Sequence, residues 1–135
     1  MMWDDVMTRV LALLDTNATL HDLFGGKMRM VSEGSKLEVP SLEYTILTDT
    51  NAELFEPMLV QIDLWTLRAD QNRLAERIVR NLLDQRTSVR WTDVVALSEF
   101  TDGAFLSTPD RAGFIGRGLR FRFTPLKQQY AQPAH

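Results

Sequence analysis

The residues best suited to chemistry crowd into GFIGRGLRFRF, positions 113 to 123. Gly113, Gly116 and Gly118 stand among Arg117, Arg120 and Arg122, while Leu119, Phe121 and Phe123 alternate with the last two arginines. Glycine beside cation is the raw material of a phosphate cradle. Such a loop, however, follows a strand, opens a helix and carries a Lys-Ser/Thr pair that reaches phosphate and metal. Here the glycines lead into a further strand pattern, so they read as places for a bulge or a close approach of neighbouring strands. Arginines with aromatics also make nucleic-acid-binding sheets, in which bases stack on rings and phosphates meet cations. That arrangement requires rings and charges on one outward face. Period-two alternation does the opposite: Leu119, Phe121 and Phe123 turn one way, Arg120 and Arg122 the other. The stretch is therefore expected to be a sheet strand with an apolar core face and an arginine face.

The other reactive side chains are sparse. There is no cysteine, which excludes disulfides, thiolate metal sites and thiol catalysis, and fits a reducing compartment. The two histidines are His21 and the terminal His135. His21 has Asp22 beside it but no further ligand at helical spacing, and a zinc site needs three or four. Ser32, Ser35, Ser88 and Ser98 lie in no nucleophile-elbow context. The acid pairs Asp4/Asp5 and Glu53/Glu56 are what a solvated surface of this charge density carries. Asp63 is the more interesting carboxylate, because it falls on a mixed face of an apolar strand. If buried, it needs a partner, and an arginine of a neighbouring strand is the expected one. The expectation is a chain that is not an enzyme, with no catalytic, cofactor-binding or metal-binding residue.

Charge is distributed unevenly. All 18 acidic residues lie at or before Asp110; against 10 basic residues they leave positions 1–110 at −8. Positions 111–135 hold Arg111, Arg117, Arg120, Arg122 and Lys127 and no acid, a net of +5. A basic end of this kind suits nucleic acid or the acidic side of an identical neighbour. No apolar run is long enough to span a membrane. The start of the chain has Asp4 and Asp5 where a secretory signal would have Lys or Arg, so an intracellular protein without export is expected.

These residues need a scaffold, and 135 residues suffice for one domain that buries roughly two-thirds of its unfolded surface. WDDVMTRVLALL (3–14) has a helical apolar face of Trp3, Val6, Met7, Val10, Leu13 and Leu14. LHDLFGG adds a short turn of helix stopped by Gly25 and Gly26. KMRMV (27–31) is a short strand. After Pro40, SLEYTIL alternates Leu42, Tyr44 and Ile46 with Glu43 and Thr45, which predicts a strand with one wet face. TDTNAELFEP is a turn-rich loop. MLVQIDLW (58–65) is apolar on both faces and reads as a central strand. Asp70 is a candidate cap for the helix 71–84, whose rows Leu74/Ile78/Leu82 and Ala75/Val79/Leu83 make an apolar stripe. VRWTDVVALSEF (89–100) slips in alternation between Asp93 and Val95, as at a bulge. A long loop (101–113) leads to the last strand, and Pro125 ends it. The expected fold is α+β: a mostly antiparallel sheet of about four to five strands, with the N-terminal helix and the long helix (about 70–84) on one face. It occupies residues 1–124, and 125–135 form a flexible or partner-ordered tail.

In its order of elements the chain resembles the tail-completion proteins of long-tailed bacteriophages, the tail-terminator or head-to-tail joining family. The likeness is carried by the N-terminal amphipathic helix, LFGGKMRM, the Pro-opened strand VPSLEYTIL, the strand-helix unit LVQIDLWTLRADQNRLAERIVRNLL, and the closing GLRFRF strand. The resemblance implies a structural virion protein located in the tail or neck and assembled in the host cytoplasm. It implies a hexameric ring that terminates the tail tube and joins it to the head connector, with the tube protein and the connector or stopper protein as partners. It implies DNA only as passing cargo, and no enzyme activity, cofactor or membrane. Within such a ring the charge split makes Glu53, Glu56, Asp102, Asp110, Arg111, Arg117, Arg120 and Arg122 the candidate subunit-interface residues. The alternative reading is a nucleic-acid-binding α+β module that uses the basic segment 111–127.

Overall fold

A computed structural model describes residues 3–30, 39–48, 57–84, 88–91 and 94–125. In chain order they form α1 (Trp3–Asp15), α2 (Ala18–Phe24), β1 (Met28–Met30), β2 (Ser41–Ile46), β3 (Met58–Thr66), α3 (Ala69–Leu83), β4 (Ser88–Trp91), β5 (Val94–Leu106), a 3-10 turn (Pro109–Arg111) and β6 (Ile115–Pro125). The six strands make one sheet in the order β1-β2-β3-β6-β5-β4. Every neighbouring pair is antiparallel except β1 with β2. The fold is α+β, as the pattern of elements implies. The segments 49–56 and 126–135, which include the projecting loop and the tail expected from sequence, lie outside the described residues.

The core lies between the sheet and the helices. Leu42, Met58, Val60, Ile62, Leu64, Leu119, Phe121 and Phe123 are fully buried on the strands; Met7, Val10 and Leu14 of α1, Leu20 and Phe24 of α2, and Ala75, Val79 and Leu83 of α3 close over them. Register accounts for the match. Val60 stands opposite Phe121, Ile62 opposite Leu119 and Met58 opposite Phe123, so the apolar parities of β3 and β6 coincide on one face. Phe100 of β5 meets Phe121 edge to face, with ring centroids 5.6 Å apart. Apolar area of this extent is the main stabilising term of the fold, at about 25 cal/mol per Å² removed from water.

Three local expectations are corrected. First, Asp70 does not cap α3. The cap position is Arg68, which makes no side-chain cap bond; Asp70 sits in the first turn and accepts from Arg68 Nε at 2.9 Å. This ion pair holds the Asp70 carboxyl down at about 2. Second, the slip in alternation near Asp93 is not a bulge within one strand. β4 ends at Trp91, β5 begins at Val94, and the two pair antiparallel, so the alternation breaks where the chain reverses. This adds a strand to the expected sheet. The bulge lies further on, between Phe100 and Asp102. Third, residues 101–106 are not loop: β5 runs to Leu106 in register with β6. Gly103 and the short polar residues suggested a loop, but pairing along nearly the whole of β6 supplies the backbone bonds that make them strand.

Asn72 anchors α3. Its amide donates to the Leu64 carbonyl (3.0 Å) and the Ile115 carbonyl (3.2 Å), tying the helix to the end of β3 and the start of β6. At the other end of the helix, the Ser98 hydroxyl bonds the Leu83 carbonyl, and the Asp84 carboxylate accepts from the Phe100 amide at 2.8 Å. The helix is thereby held at both ends over β3, β6 and β5.

Candidate functional site

The arginine strand divides as its parity predicts. Leu119, Phe121 and Phe123 are fully buried under the helices, and Arg120 and Arg122 are exposed on the opposite, open face of the sheet. Arg120 Nε donates to Gln61 Oε1 at 3.2 Å and Arg122 Nη1 to Glu99 Oε1 at 3.3 Å, both across neighbouring strands. Asp102 is register partner of Arg120, exposed, and accepts from its neighbour Thr101 Oγ1 at 2.9 Å. Asp102, Arg120 and Arg122 thus share one surface.

The remaining interface candidates separate from them. Asp110 is exposed in the 3-10 turn. Arg117 lies on the helix side, half-buried, with Nε bonded to Glu76 Oε1 at 2.9 Å and its guanidinium 4.8 Å from the Phe105 ring. Arg111, placed at the interface with the others by charge alone, is internal: 8% exposed, it forms a two-pronged bond to Glu43 at 2.8 and 3.1 Å. Its guanidinium also stacks over Trp65 at 4.8 Å. Glu53 and Glu56 lie outside the described residues.

Glu43 is the site residue that sequence reasoning assigned to solvent. It is 4% exposed, because the turn after β5 folds Arg111 down over it, and Arg29 of β1 approaches from the other side at 3.4 Å. Asp63, its partner across β2 and β3, receives no arginine bond among the described residues; Gln61 Nε2 donates to it at 2.8 Å. Burial pushes the Asp63 carboxyl above its ordinary value, with the charge of Glu43 adding to the rise and the Gln61 bond and Arg111 opposing it. The expected strand arginine is thus not its partner among the described residues: Gln61 takes that place, and Arg111, which comes from the turn after β5, is spent on the adjacent Glu43. Nothing in the spacing of SLEYTIL distinguishes a buried Glu43 from a wet one; the signal is 68 residues away at Arg111.

Two glycines of the stretch have separate reasons. Gly113 has φ +89°, a left-handed conformation that only glycine adopts without strain. Gly116 faces its register partner Trp65, and a Cβ there would lie 2.6 Å from the indole ring. It is a spacing residue, and no phosphate cradle is formed.

On the helix side a groove of about 860 Å³ runs between α3 and the ends of β5 and β6, with Arg73, Glu76, Arg77, Phe105 and Arg117 among its lining. Arg80 stacks on Phe100 at 3.9 Å and approaches Glu76 at 3.6 Å, so Arg80 and Arg117 are engaged within the fold. Arg73 and Arg77 are exposed and have no ion-pair partner among the described residues. Phe105 is 82% exposed. Sequence reasoning missed this surface; the i,i+4 spacing of Arg73 and Arg77 on the polar face of the helix was its available signal. Among the described residues no three His, Cys, Asp or Glu side chains gather as a metal site, and no helix is long and apolar enough to cross a membrane.

The class that fold and surface define is an α+β sheet protein with helices on one face and a charged open face on the other. No family model matches the chain, and no curated protein matches it in sequence. Among solved structures it is similar to a chain of the virion of a native gene transfer agent particle, with a TM-score of 0.63 at 14% identity, covering 87% of this chain and 92% of that one. The likeness is one of fold.

Proposed function

We propose that this chain is a structural protein of a phage-like virion, acting at the tail or neck as a ring that terminates the tail tube and joins it to the head connector. The observation that carries this reading is the near end-to-end fold similarity to a chain of a gene transfer agent virion. It agrees with the order of elements that resembles the tail-completion family. In this reading the subunits associate with one another, with the tube protein and with the connector, DNA passes through without being read, and the chain performs no reaction and holds no cofactor. Among the described residues, the open-face set Asp102, Arg120 and Arg122 and Asp110 are the exposed interface candidates.

The alternative, nucleic-acid binding through the basic segment 111–127, loses support from the geometry. Arg111 is internal and Arg117 is paired with Glu76, so two of the segment's four arginines are committed within the fold. Electron microscopy of the purified protein, alone and mixed with tail tubes, is the test. Closed rings, or caps at tube ends, are expected. A protein that stays monomeric in both settings while binding oligonucleotide in a salt-dependent manner would replace the ring reading with the alternative.

A further inference from the structure

Three buried hydrogen-bond donors gather on the open side of the sheet, beneath the turn that carries Arg111. The Ser41 hydroxyl, the Trp65 indole N–H and the Arg111 Nε–H have no hydrogen-bond partner among the described residues. Their residues are 0%, 2% and 8% exposed. A polar group taken out of water without a partner forfeits its solvation, so buried donors are as a rule bonded to something.

The fold brings the three together. Ser41 stands opposite Trp65 across β2 and β3, two residues along the same face from the Glu43–Asp63 pair. Gly116 sets the direction of the indole. The Cε3, Cζ3 and Cη2 edge of the ring lies against that glycine on β6, 2.6 to 2.8 Å from where a Cβ would stand. β3 lies between β6 and β2, so the opposite edge, which carries Nε1, points to β2 and Ser41. The Arg111 guanidinium lies over the same ring, 4.8 Å from its centroid. Its Nη1 and Nη2 are taken by Glu43 on β2, which leaves Nε as the donor nearest the base of the side chain.

We propose that one buried water binds here, accepting from Trp65 Nε1 and Arg111 Nε and donating to Ser41 Oγ. About three bonds are what a buried water ordinarily makes. The surrounding charges select a neutral occupant. Glu43 and Asp63 stand beside the site and repel an anion, while two N–H groups turn their positive ends toward a cation. Burial excludes the side chain of another molecule, since none of the three residues is more than 8% exposed. The water gives the turn a second fastening to the sheet: Glu43 holds the end of the guanidinium, and the water holds its base.

The test is a high-resolution crystal structure of the full chain, together with water–proton Overhauser spectra of the wild type and of Ser41→Ala. An ordered water is expected about 3 Å from Trp65 Nε1 and from at least one of Arg111 Nε and Ser41 Oγ. In solution the Trp65 indole proton should show a cross-peak to water. That cross-peak should persist in Ser41→Ala, where no hydroxyl is left to relay it and the two N–H groups still hold the water. A bond from Nε1 straight to Ser41 Oγ or to any other protein oxygen overturns the inference. So does an ion or another solute in place of the water, an Nε1 with no water beside it, or a cross-peak that vanishes in Ser41→Ala. Should that variant fail to fold, the wild-type crystal structure decides alone.

Discussion

Ile62 and Asp63 are neighbours on β3 and belong to two different worlds. Ile62 faces the helices among Leu119, Leu42 and Leu64, where nothing but shape and area matters. Asp63 faces the open side, where Gln61 donates to it and Arg111 bonds the neighbouring Glu43. The helix-covered face is stabilised by loss of water from apolar area, a term that tolerates many sequences of similar volume. The open face is specified by pairs, each of which matters in proportion to how deeply its members are buried. At the Arg111 end it is nearly dry, and at the Arg120 and Arg122 end it is wet. The lesson is that the basic C-terminal segment is not one electrostatic unit. One of its arginines closes the fold, one braces α3, and two remain at the surface.

The comparison is sharpened most by removing one member of the dry pair. Glu43→Ala leaves the Arg111 guanidinium buried beside Trp65 without its carboxylate and should cost about 3–5 kcal/mol in denaturant unfolding. A double-mutant cycle with Arg111→Ala should recover a large part of that loss as coupling. On the helix-covered face, Phe121→Ala should likewise cost about 3–5 kcal/mol, through lost burial and the cavity left behind. A loss below about 1 kcal/mol in either variant would break the division between the faces.

Gly116→Ala should cost about 1–3 kcal/mol, because the new methyl group meets the indole of Trp65, itself clamped under Arg111. Asp63→Asn is expected to act in the opposite sense. Since burial raises the Asp63 carboxyl above its ordinary 3.8, the folded state favours the protonated form. That contribution is complete below pH 3.8 and is lost as pH rises through the raised value, so at neutral pH the charged side chain weighs against folding. The Asn variant should therefore melt higher than wild type at pH 7, with the difference vanishing in acid; a lower melting temperature at pH 7 would mean that Arg111 outweighs desolvation. The smallest effect is expected from Arg120→Ala, within about 0.5 kcal/mol, since the guanidinium is exposed and, among the described residues, bonded to Gln61 alone. A loss equal to that of Phe121→Ala would contradict the two-face assignment.

Much of this frame was legible before any coordinates. The alternation through Leu119, Phe121 and Phe123, the strand 58–65 and the helix stripe Ala75/Val79/Leu83 each follow from a local period, and local periods survive folding when one face must be dry. The misreadings have a common origin. Glu43 looks wet and Arg111 looks free in their own segments, and residues 101–106 look like loop until β6 lies alongside. The candidate surface divided in the same way. The exposed Arg120 and Arg122 were found by parity, whereas the groove of Arg73, Arg77 and Phe105 needs a helix and a strand end brought together.

The sequence by itself determined which side of β2 and β6 is apolar, where the long helix runs, and that charge is split between the two ends of the chain. These are properties of neighbours along the backbone, read at a period of two or 3.6 residues. Only the tertiary structure decided which cation meets which anion and which of the described strands stand side by side. An ion pair and a sheet edge are settled by segments distant in the chain, and no local repeat encodes which of several arginines will be folded inward.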